Sequence, residues 1–191
     1  MAFNFSPHPK LQGLHAPFSP SQPSWLRYDD AKALEIYSNK KAAEIGTRLH
    51  DWAKRTIDLG IKQPKSKKTI YAYVNDAIGY LMHTEVVLYY SDRFFGTADA
   101  ISFRRINGRY VLRIHDLKTG KIPAHMEQLL IYAALFCLEY NVKPGEIDFE
   151  LRIYQNDDIL VHNPTADEIL PIMDRIKHLD KILEKQDNEE G

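Results

Sequence analysis

The sequence has one cysteine, no long apolar run and almost no net charge. Cys137 alone excludes an internal disulfide framework and the four-cysteine sites that hold zinc or an iron–sulfur cluster. No apolar stretch approaches the ~18 residues of a membrane-spanning helix, and residues 1–10 lack the basic and apolar regions of a secretory signal. Since 25 basic residues stand against 26 acidic ones, only a local basic patch would bind a polyanion. We therefore expect a soluble, cytoplasmic protein with no membrane segment.

The residues that are present suit one α/β domain. Hydrophobic residues make up 44% of the 191 positions, which is enough to bury a core. Half of the ten prolines precede residue 24, so residues 1–28 are predicted to be an extended Pro-rich segment. A single domain over 29–185 follows, and then an acidic tail over 186–191, frayed from Glu184.

Apolar periodicity predicts helices, three strands, a helix, a strand and a last helix, on a small mixed sheet. The predicted helices are 29–57 (with a candidate break at Ser38-Asn39), 69–82, 123–140 and from Pro164 onward, and the predicted strands are 85–90, 95–106, 109–118 and 147–154.

A two-residue hairpin at Asn107-Gly108 sets the pairing of the two central strands. The Asn-Gly dipeptide favours a type I′ turn, so a regular ladder places Asp99 opposite Asp116 and Thr97 opposite Lys118. Opposed residues share a face, with Cβ atoms about 4.5–5.5 Å apart. Asp99, Asp116 and Lys118 therefore continue the apolar face formed by residue pairs such as Ile101 and Ile114.

Two opposed carboxylates repel each other unless a cation such as Mg²⁺ or Mn²⁺ lies between them. Two other interpretations stay open at this point. Asp-x-Lys is a common tripeptide that often marks a solvated strand end, and a β-bulge would shift the register by one residue.

Two helices carry further candidate residues. Gly46 and His50 are four residues apart, and so are Gln128 and Tyr132, so each pair lies on one helical face. A core or surface histidine and a boundary glutamine fit the same patterns. Glu85 begins a strand. The sequence is compatible both with a surface position for Glu85 and with a supporting position near the acids.

Four short stretches in order resemble the RecB-type, lambda-exonuclease-like branch of the PD-(D/E)XK nuclease superfamily. They cover residues 46–132, and Ser19-Pro20-Ser21 is similar to the serine-containing start of these domains. Within the branch, the sequence most resembles phage-encoded relatives of CRISPR adaptation nucleases, so its cytoplasm would be that of a bacterial host. The four stretches are Gly46-Thr47-Arg48-Leu49-His50, Gly96-Thr97-Ala98-Asp99, Asp116-Leu117-Lys118-Thr119-Gly120 and Gln128-Leu129-Leu130-Ile131-Tyr132.

The resemblance implies a restriction-endonuclease-like core and a site that holds one or two Mg²⁺ or Mn²⁺ ions. His50, Asp99, Asp116 and the main-chain carbonyl of Leu117 would be the ligands. Lys118 would orient or activate the attacking water and stabilise the developing phosphorane charge. Gln128 and Tyr132 would support the site and approach the DNA backbone. The cysteines of iron–sulfur members are absent, so no cluster is expected, and Asp116 replaces the glutamate of the usual pattern.

The implied activity is hydrolysis of DNA phosphodiester bonds, as an exonuclease of recombination or repair type. A structure-specific endonuclease, and an inactive DNA- or protein-binding module on the same fold, are the alternatives. Retention of His50, Asp99, Asp116 and Lys118 favours catalysis. The sequence has no Gly-x-x-x-x-Gly-Lys motif, so ATP-driven unwinding would need a helicase or recombination partner. Seven basic residues would contact DNA, or would instead form only a solvated loop and surface. They are Arg48, Lys54, Lys62, Lys65, Lys67, Lys68 and Lys121.

Overall fold

A computed structural model describes residue 9 and residues 16–120 and 122–190 of the chain. Its compact units are Met1–Ile45 and Gly46–Gly191. The described part of the first unit contains a 3-10 helix, Pro23–Arg27, and the start of α1 (Asp30–Asp58). In this unit the Oγ atoms of Ser19 and Ser21 lie 2.8 Å apart, and the indole of Trp25 donates to the Ser19 carbonyl.

The second unit contains a five-stranded mixed sheet flanked by helices, which confirms the predicted α/β class. The strand order is β1-β2-β3-β4-β5, with β3 and β4 parallel and the other neighbours antiparallel. Its elements are α2 (Thr69–Gly79), β1 (His83–Ser91), β2 (Phe94–Ile106), β3 (Arg109–Leu117), α3 (Glu127–Glu139), a 3-10 turn (Pro144–Glu146), β4 (Ile147–Gln155), β5 (Asp158–His162) and α4 (Ala166–Glu190).

Each face of the sheet is covered by its own hydrophobic cluster. On one face, Ile101, Leu112 and Ile114 pack with residues of α3 and α4. On the other face, Ala100, Leu117 and Tyr154 pack with α2 and with the last turns of α1. Since β3 contributes to both clusters, its carboxyl end lies where α1, α2 and α3 approach the sheet.

Several predicted boundaries differ from the structure. The helix over 29–57 is continuous, because the modest helix preferences of Ser38 and Asn39 do not interrupt an element of this length. The second helix ends at Gly79, three residues early, because Leu81 adopts φ 53° and the Met82 amide returns to the Ala77 carbonyl.

The third helix starts at Glu127, not at Pro123. The side chain of Gln155 accepts a hydrogen bond from the Ala124 amide and donates to the carbonyls of Gly120 and Ile122. These bonds fix the segment before α3 in a non-helical path.

Residues near the end of the chain are ordered differently from the predicted frayed tail. Helix α4 continues to Glu190, and Arg93 forms ion pairs with two of its residues, Asp180 (3.0 Å) and Asp187 (2.8 Å). Strand β5 was not predicted. It follows a turn at Asn156-Asp157, where both residues have positive φ, the geometry of a tight hairpin. Among the described residues, no helix is both long and apolar enough to cross a membrane.

Candidate functional site

The predicted hairpin register holds along most of β2 and β3. Asn107 and Gly108 have φ of 49° and 90°, and the ladder runs from Ile106–Arg109 to Ala100–His115. It ends one pair before Asp99 and Asp116, so the predicted cross-strand pairs Asp99–Asp116 and Thr97–Lys118 are wrong as ladder pairs. The amide of Leu117 donates instead to the side-chain Oδ2 of Asp99, at 3.0 Å. This side-chain acceptor takes the place of a strand carbonyl, and the two strands separate here.

The alternation of β2 also breaks at Asp99. Ala98 and Ile101 belong to the cluster on the α3 side, whereas Ala100 belongs to the cluster on the α2 side. The neighbouring strand β1 is irregular at the same level, since Glu85 has φ 52° and is skipped between the pairs Thr84–Ala100 and Val86–Ala98. The alternation of side chains along β2 therefore does not predict the direction of the Asp99 side chain. It does predict the shared face of Ile101, Ile114, Phe103 and Leu112.

Asp99 is a largely buried carboxylate with several charged neighbours. Its Oδ2 lies 3.4 Å from Nδ1 of His50, which projects from α1. Burial raises the pKa of Asp99 to about 6, and the charges of Asp116 and Glu85 act in the same direction. The Leu117 hydrogen bond and His50 act in the opposite direction. The raised pKa shows that the ionised form of Asp99 is incompletely compensated.

Asp116 is more deeply buried than Asp99. Only 3% of the residue is exposed, and its Oδ2 accepts no hydrogen bond from the described residues. Nζ of Lys118 lies 3.0 Å from this oxygen but outside hydrogen-bond alignment, so the contact is an ion pair. This buried oxygen therefore has a charge partner in Lys118 but no aligned hydrogen-bond donor among the described residues, which is a feature that needs an explanation.

A connected series of side chains runs from Lys118 to α3. Nζ of Lys118 donates to Oε1 of Gln128 at 2.9 Å, and Nε2 of Gln128 donates to the Tyr132 hydroxyl at 3.2 Å. The structure therefore brings together Asp116, Lys118, Gln128 and Tyr132, all of which were candidates from the sequence.

Two glycines in the predicted stretches allow close approaches at the site. A Cβ on Gly46 would lie 2.7 Å from Oγ1 of Thr119, so α1 could not approach the end of β3 as closely. A Cβ on Gly96 would lie 2.8 Å from Cε1 of Tyr132, so Tyr132 packs directly on the backbone of β2.

Two residues near the acids were not selected from the sequence. Tyr73 of α2 is buried, and its pKa is raised well above the usual value by burial and by the charges of Asp99, Asp116 and Glu85. Tyr73 shares a helical apolar pattern with Val74 and Ala77, which predicts that it packs in the core. The structure confirms this packing, but the pattern does not indicate that acids lie nearby. Glu85 is the other; from its place at the start of a strand the sequence left open a supporting position near the acids and a surface position.

The predicted cation ligands are not gathered as a set in the described residues. No group of three or more His, Cys, Asp or Glu side chains there is arranged to hold a metal ion. Asp99 Oδ2 is engaged by Leu117 and lies against His50, whereas Asp116 Oδ2 faces Lys118. The donor types, two carboxylates and an imidazole, nevertheless suit Mg²⁺ or Mn²⁺.

The candidate DNA-contacting residues have different surroundings. Arg48, Lys65 and Lys67 are exposed. Lys54 is engaged with Asp58 at 2.6 Å and with Thr84 at 3.4 Å, and Lys121 lies outside the described residues. Lys68 lies over the ring of Tyr71. It also lines a cavity of about 250 Å³ beside the site, together with Leu117, Lys118 and Thr119.

Comparison with models of known protein families, and with curated proteins, finds no match to this chain.

Proposed function

We propose that the protein is a divalent-metal-dependent DNA nuclease, an exonuclease of recombination or repair type, with its site at the carboxyl end of β3. The observation that carries the proposal is the buried Oδ2 of Asp116, which accepts no hydrogen bond from the described residues. It lies in the field of a second carboxylate, Asp99, whose pKa is about 6. In this structure the ammonium group of Lys118 lies 3.0 Å from Asp116, and a divalent ion bound between the two carboxylates would compensate both of them.

The ligands in this proposal are Asp99, Asp116, His50 and the main-chain carbonyl of Leu117. A bound Mg²⁺ or Mn²⁺ would polarise the phosphoryl group and lower the pKa of a bound water. Ion binding would replace the contact of Asp99 with His50 and that of Asp116 with Lys118. The ammonium group of Lys118 would then be free to approach the scissile phosphate.

The remaining side chains act on Lys118 and Asp99. Gln128 holds Nζ of Lys118 through its carbonyl oxygen and is itself oriented by Tyr132. A positioned ammonium group stabilises negative charge that develops on the phosphate oxygens during attack. Leu117 fixes one oxygen of Asp99 through its amide.

A catalytically inactive DNA- or protein-binding module is the second candidate. The observation in its favour is that no three potential ligands converge among the described residues.

The deciding experiment incubates linear and closed-circular DNA with Mg²⁺ or Mn²⁺. It compares the wild type with Asp116→Asn and Lys118→Met. The matched controls are Asp148→Asn and Lys143→Met, which make the same charge changes at exposed positions near the hairpin end of the sheet. Degradation of linear DNA alone, lost in both site variants and kept in both controls, supports the exonuclease.

The other outcomes separate the alternatives. Cutting of closed circles with the same variant pattern indicates an endonuclease. Retention of DNA without cleavage in either metal indicates the binding module and overturns the proposed activity.

A further inference from the structure

Strand β2 is longer than its neighbour β1, so its last residues have a partner strand on one side only. The β1–β2 ladder starts at the pair His83–Ile101, whereas the β2–β3 ladder continues to the pair Ile106–Arg109. Among the described residues, no strand pairs with residues 103–106 on the β1 side. This segment is the open edge of β2.

The hairpin register determines which backbone groups face the open side. In a two-residue hairpin the residues that flank the turn, here Ile106 and Arg109, exchange both of their backbone hydrogen bonds. The alternation then directs the N–H and C=O groups of Phe103 and Arg105 away from β3. No described residue forms a hydrogen bond with these four groups. The open edge therefore offers two donors and two acceptors in the arrangement of a strand.

The side chains of the open edge carry positive charge that no carboxylate balances. Arg104 and Arg105 are exposed, and their guanidinium groups donate only to main-chain carbonyls of the described residues. Arg109, on the other strand of the hairpin, instead forms an ion pair with Asp148 at 3.3 Å. An acidic ligand at the open edge would therefore meet two cations without displacing a carboxylate.

An acidic peptide in an extended conformation matches both features of the open edge. Its backbone supplies acceptors for the N–H groups and donors for the C=O groups of Phe103 and Arg105, as an added strand does. Its carboxylates pair with the two unbalanced arginines. Phosphate groups of a nucleic acid would satisfy the guanidinium groups alone, because they donate no hydrogen bond to the strand carbonyls.

A second copy of this chain is a poor occupant of the open edge. Two such edges paired with each other would bring arginines of the same segment together, and like charges opposed across two strands destabilise the pair. Charged residues on an edge strand act against self-association for this reason. The charge therefore favours a partner of opposite sign.

We propose that the open edge of β2 binds an extended acidic segment of a partner protein by strand addition. A segment of four residues buries little surface, so the complex belongs to the weak and transient class. The open edge lies at the hairpin end of β2 and β3, whereas Asp99 and Asp116 lie at the far end of these strands. The inference goes beyond the proposed function and does not depend on it.

The test is fluorescence anisotropy of a labelled, end-capped peptide, six residues of alternating glutamate and valine, titrated with the full chain. The variant Arg104→Gln/Arg105→Gln removes both unbalanced charges. The matched control, Arg109→Gln/Lys143→Gln, removes two exposed charges that have carboxylate partners. A second peptide, N-methylated at every residue, keeps its carboxylates but has no backbone donors. A single strand of six thymidine nucleotides is the competing polyanion.

We expect saturable binding of the first peptide by the wild type and by the control. The Arg104→Gln/Arg105→Gln variant should bind it about tenfold more weakly, as for the loss of two exposed ion pairs. The N-methylated peptide should not bind, and the thymidine strand should not displace the first peptide. Amide hydrogen exchange should slow at Phe103 and Arg105 when the peptide binds, because those N–H groups face the open side.

Several results would overturn the inference. Absence of saturable binding by the wild type, equal binding of the N-methylated peptide, or unchanged exchange at Phe103 and Arg105 would each exclude strand addition. Displacement by the thymidine strand, with equal weakening in both double variants, would show a general polyanion surface instead. None of these results concerns DNA cleavage, so the proposed function stands or fails separately.

Discussion

The backbone amide of Leu117 donates a 3.0 Å hydrogen bond to the side chain of Asp99, across the point where β2 and β3 separate. This bond connects β3, which carries Asp116 and is followed directly by Lys118, to the carboxylate that lies against His50. It also places Asp99 in the field of Asp116, so the folding energetics and the proposed chemistry depend on the same carboxylates.

The first prediction concerns the stability of the metal-free protein between pH 4 and pH 6. The pKa of Asp99 is about 6 in the folded protein and 3.8 in the unfolded chain, so the folded state binds the proton more tightly. The free energy of unfolding should therefore fall as the pH rises through this window and then level off. In Asp116→Asn this fall should be smaller, by on the order of 1 kcal/mol, because a neighbouring negative charge is gone.

Urea unfolding with a chelator, at half-unit pH steps, measures this difference. Asp148→Asn should follow the wild type. A fall of equal size in Asp116→Asn would show that Asp116 does not act on Asp99.

The second prediction concerns acid sensitivity at Glu150. His115, Arg152 and Arg113 hold the pKa of Glu150 at about 2, against an ordinary value of 4.5. Nε2 of His115 is 3.7 Å away, an electrostatic contact too long for a hydrogen bond, whereas both guanidinium groups lie at 3.1 Å.

The stabilising contribution of Glu150 is complete above pH 4.5 and is lost as the pH falls toward 2. Glu150→Gln should lower the free energy of unfolding at pH 7 by about 2 kcal/mol, since Arg113 loses its carboxylate partner and Arg152 keeps only its ion pair with Asp76. Denaturant titrations at pH 7 and pH 3 check this. The deficit of the variant should be smaller at pH 3, and a constant deficit would refute the assignment.

The third prediction concerns the close approach of Gly96 and Tyr132. Gly96→Ala places a methyl group 2.8 Å from Cε1 of Tyr132 and must displace that ring. We expect a loss of about 1–3 kcal/mol in the free energy of unfolding, as for other overpacked positions. In a Tyr132→Ala background the same substitution should cost much less, and a double-mutant cycle measures the coupling.

Gly145→Ala is the control for Gly96→Ala, because nothing lies within 4 Å of the added Cβ. Additive effects of Gly96→Ala and Tyr132→Ala would mean that the two residues are not in contact in solution.

The fourth prediction concerns the hydrogen bonds that hold Lys118. On the proposed nuclease activity, Gln128→Ala removes the acceptor of the Lys118 ammonium group and should reduce the single-turnover rate of DNA cleavage by about 10–100-fold. Tyr132→Phe removes only the acceptor for Gln128, so it should have a smaller effect. Saturation with DNA distinguishes a slower chemical step from weaker binding. A rate for Gln128→Ala equal to the wild-type rate would show that Lys118 needs no support from α3.

Much of the hairpin was predictable because its interactions are local. The Asn107-Gly108 turn fixes the register through two residues of positive φ, and seven consecutive pairs follow from it. The four-residue spacing placed Gln128 and Tyr132 on one helical face for the same reason, and the structure joins them by a hydrogen bond. In contrast, Pro123 was predicted inside a helix that starts later, because Gln155 of β4 holds the preceding segment by its side chain.

The sequence by itself determined the mixed α/β class, the register of β2 with β3, and the apolar face that carries Ile101 and Ile114. Only the tertiary structure decided that His50, Glu85 and Leu117 surround Asp99. These residues come from α1, β1 and β3, and no local spacing relates them. At Asp99 a carboxylate replaces the next ladder acceptor, so the alternation that governs the rest of the strand no longer applies. The direction of the Asp99 side chain depends on its burial, on the neighbouring charges and on one hydrogen bond. Tertiary packing determines all three, and the sequence pattern determines none of them.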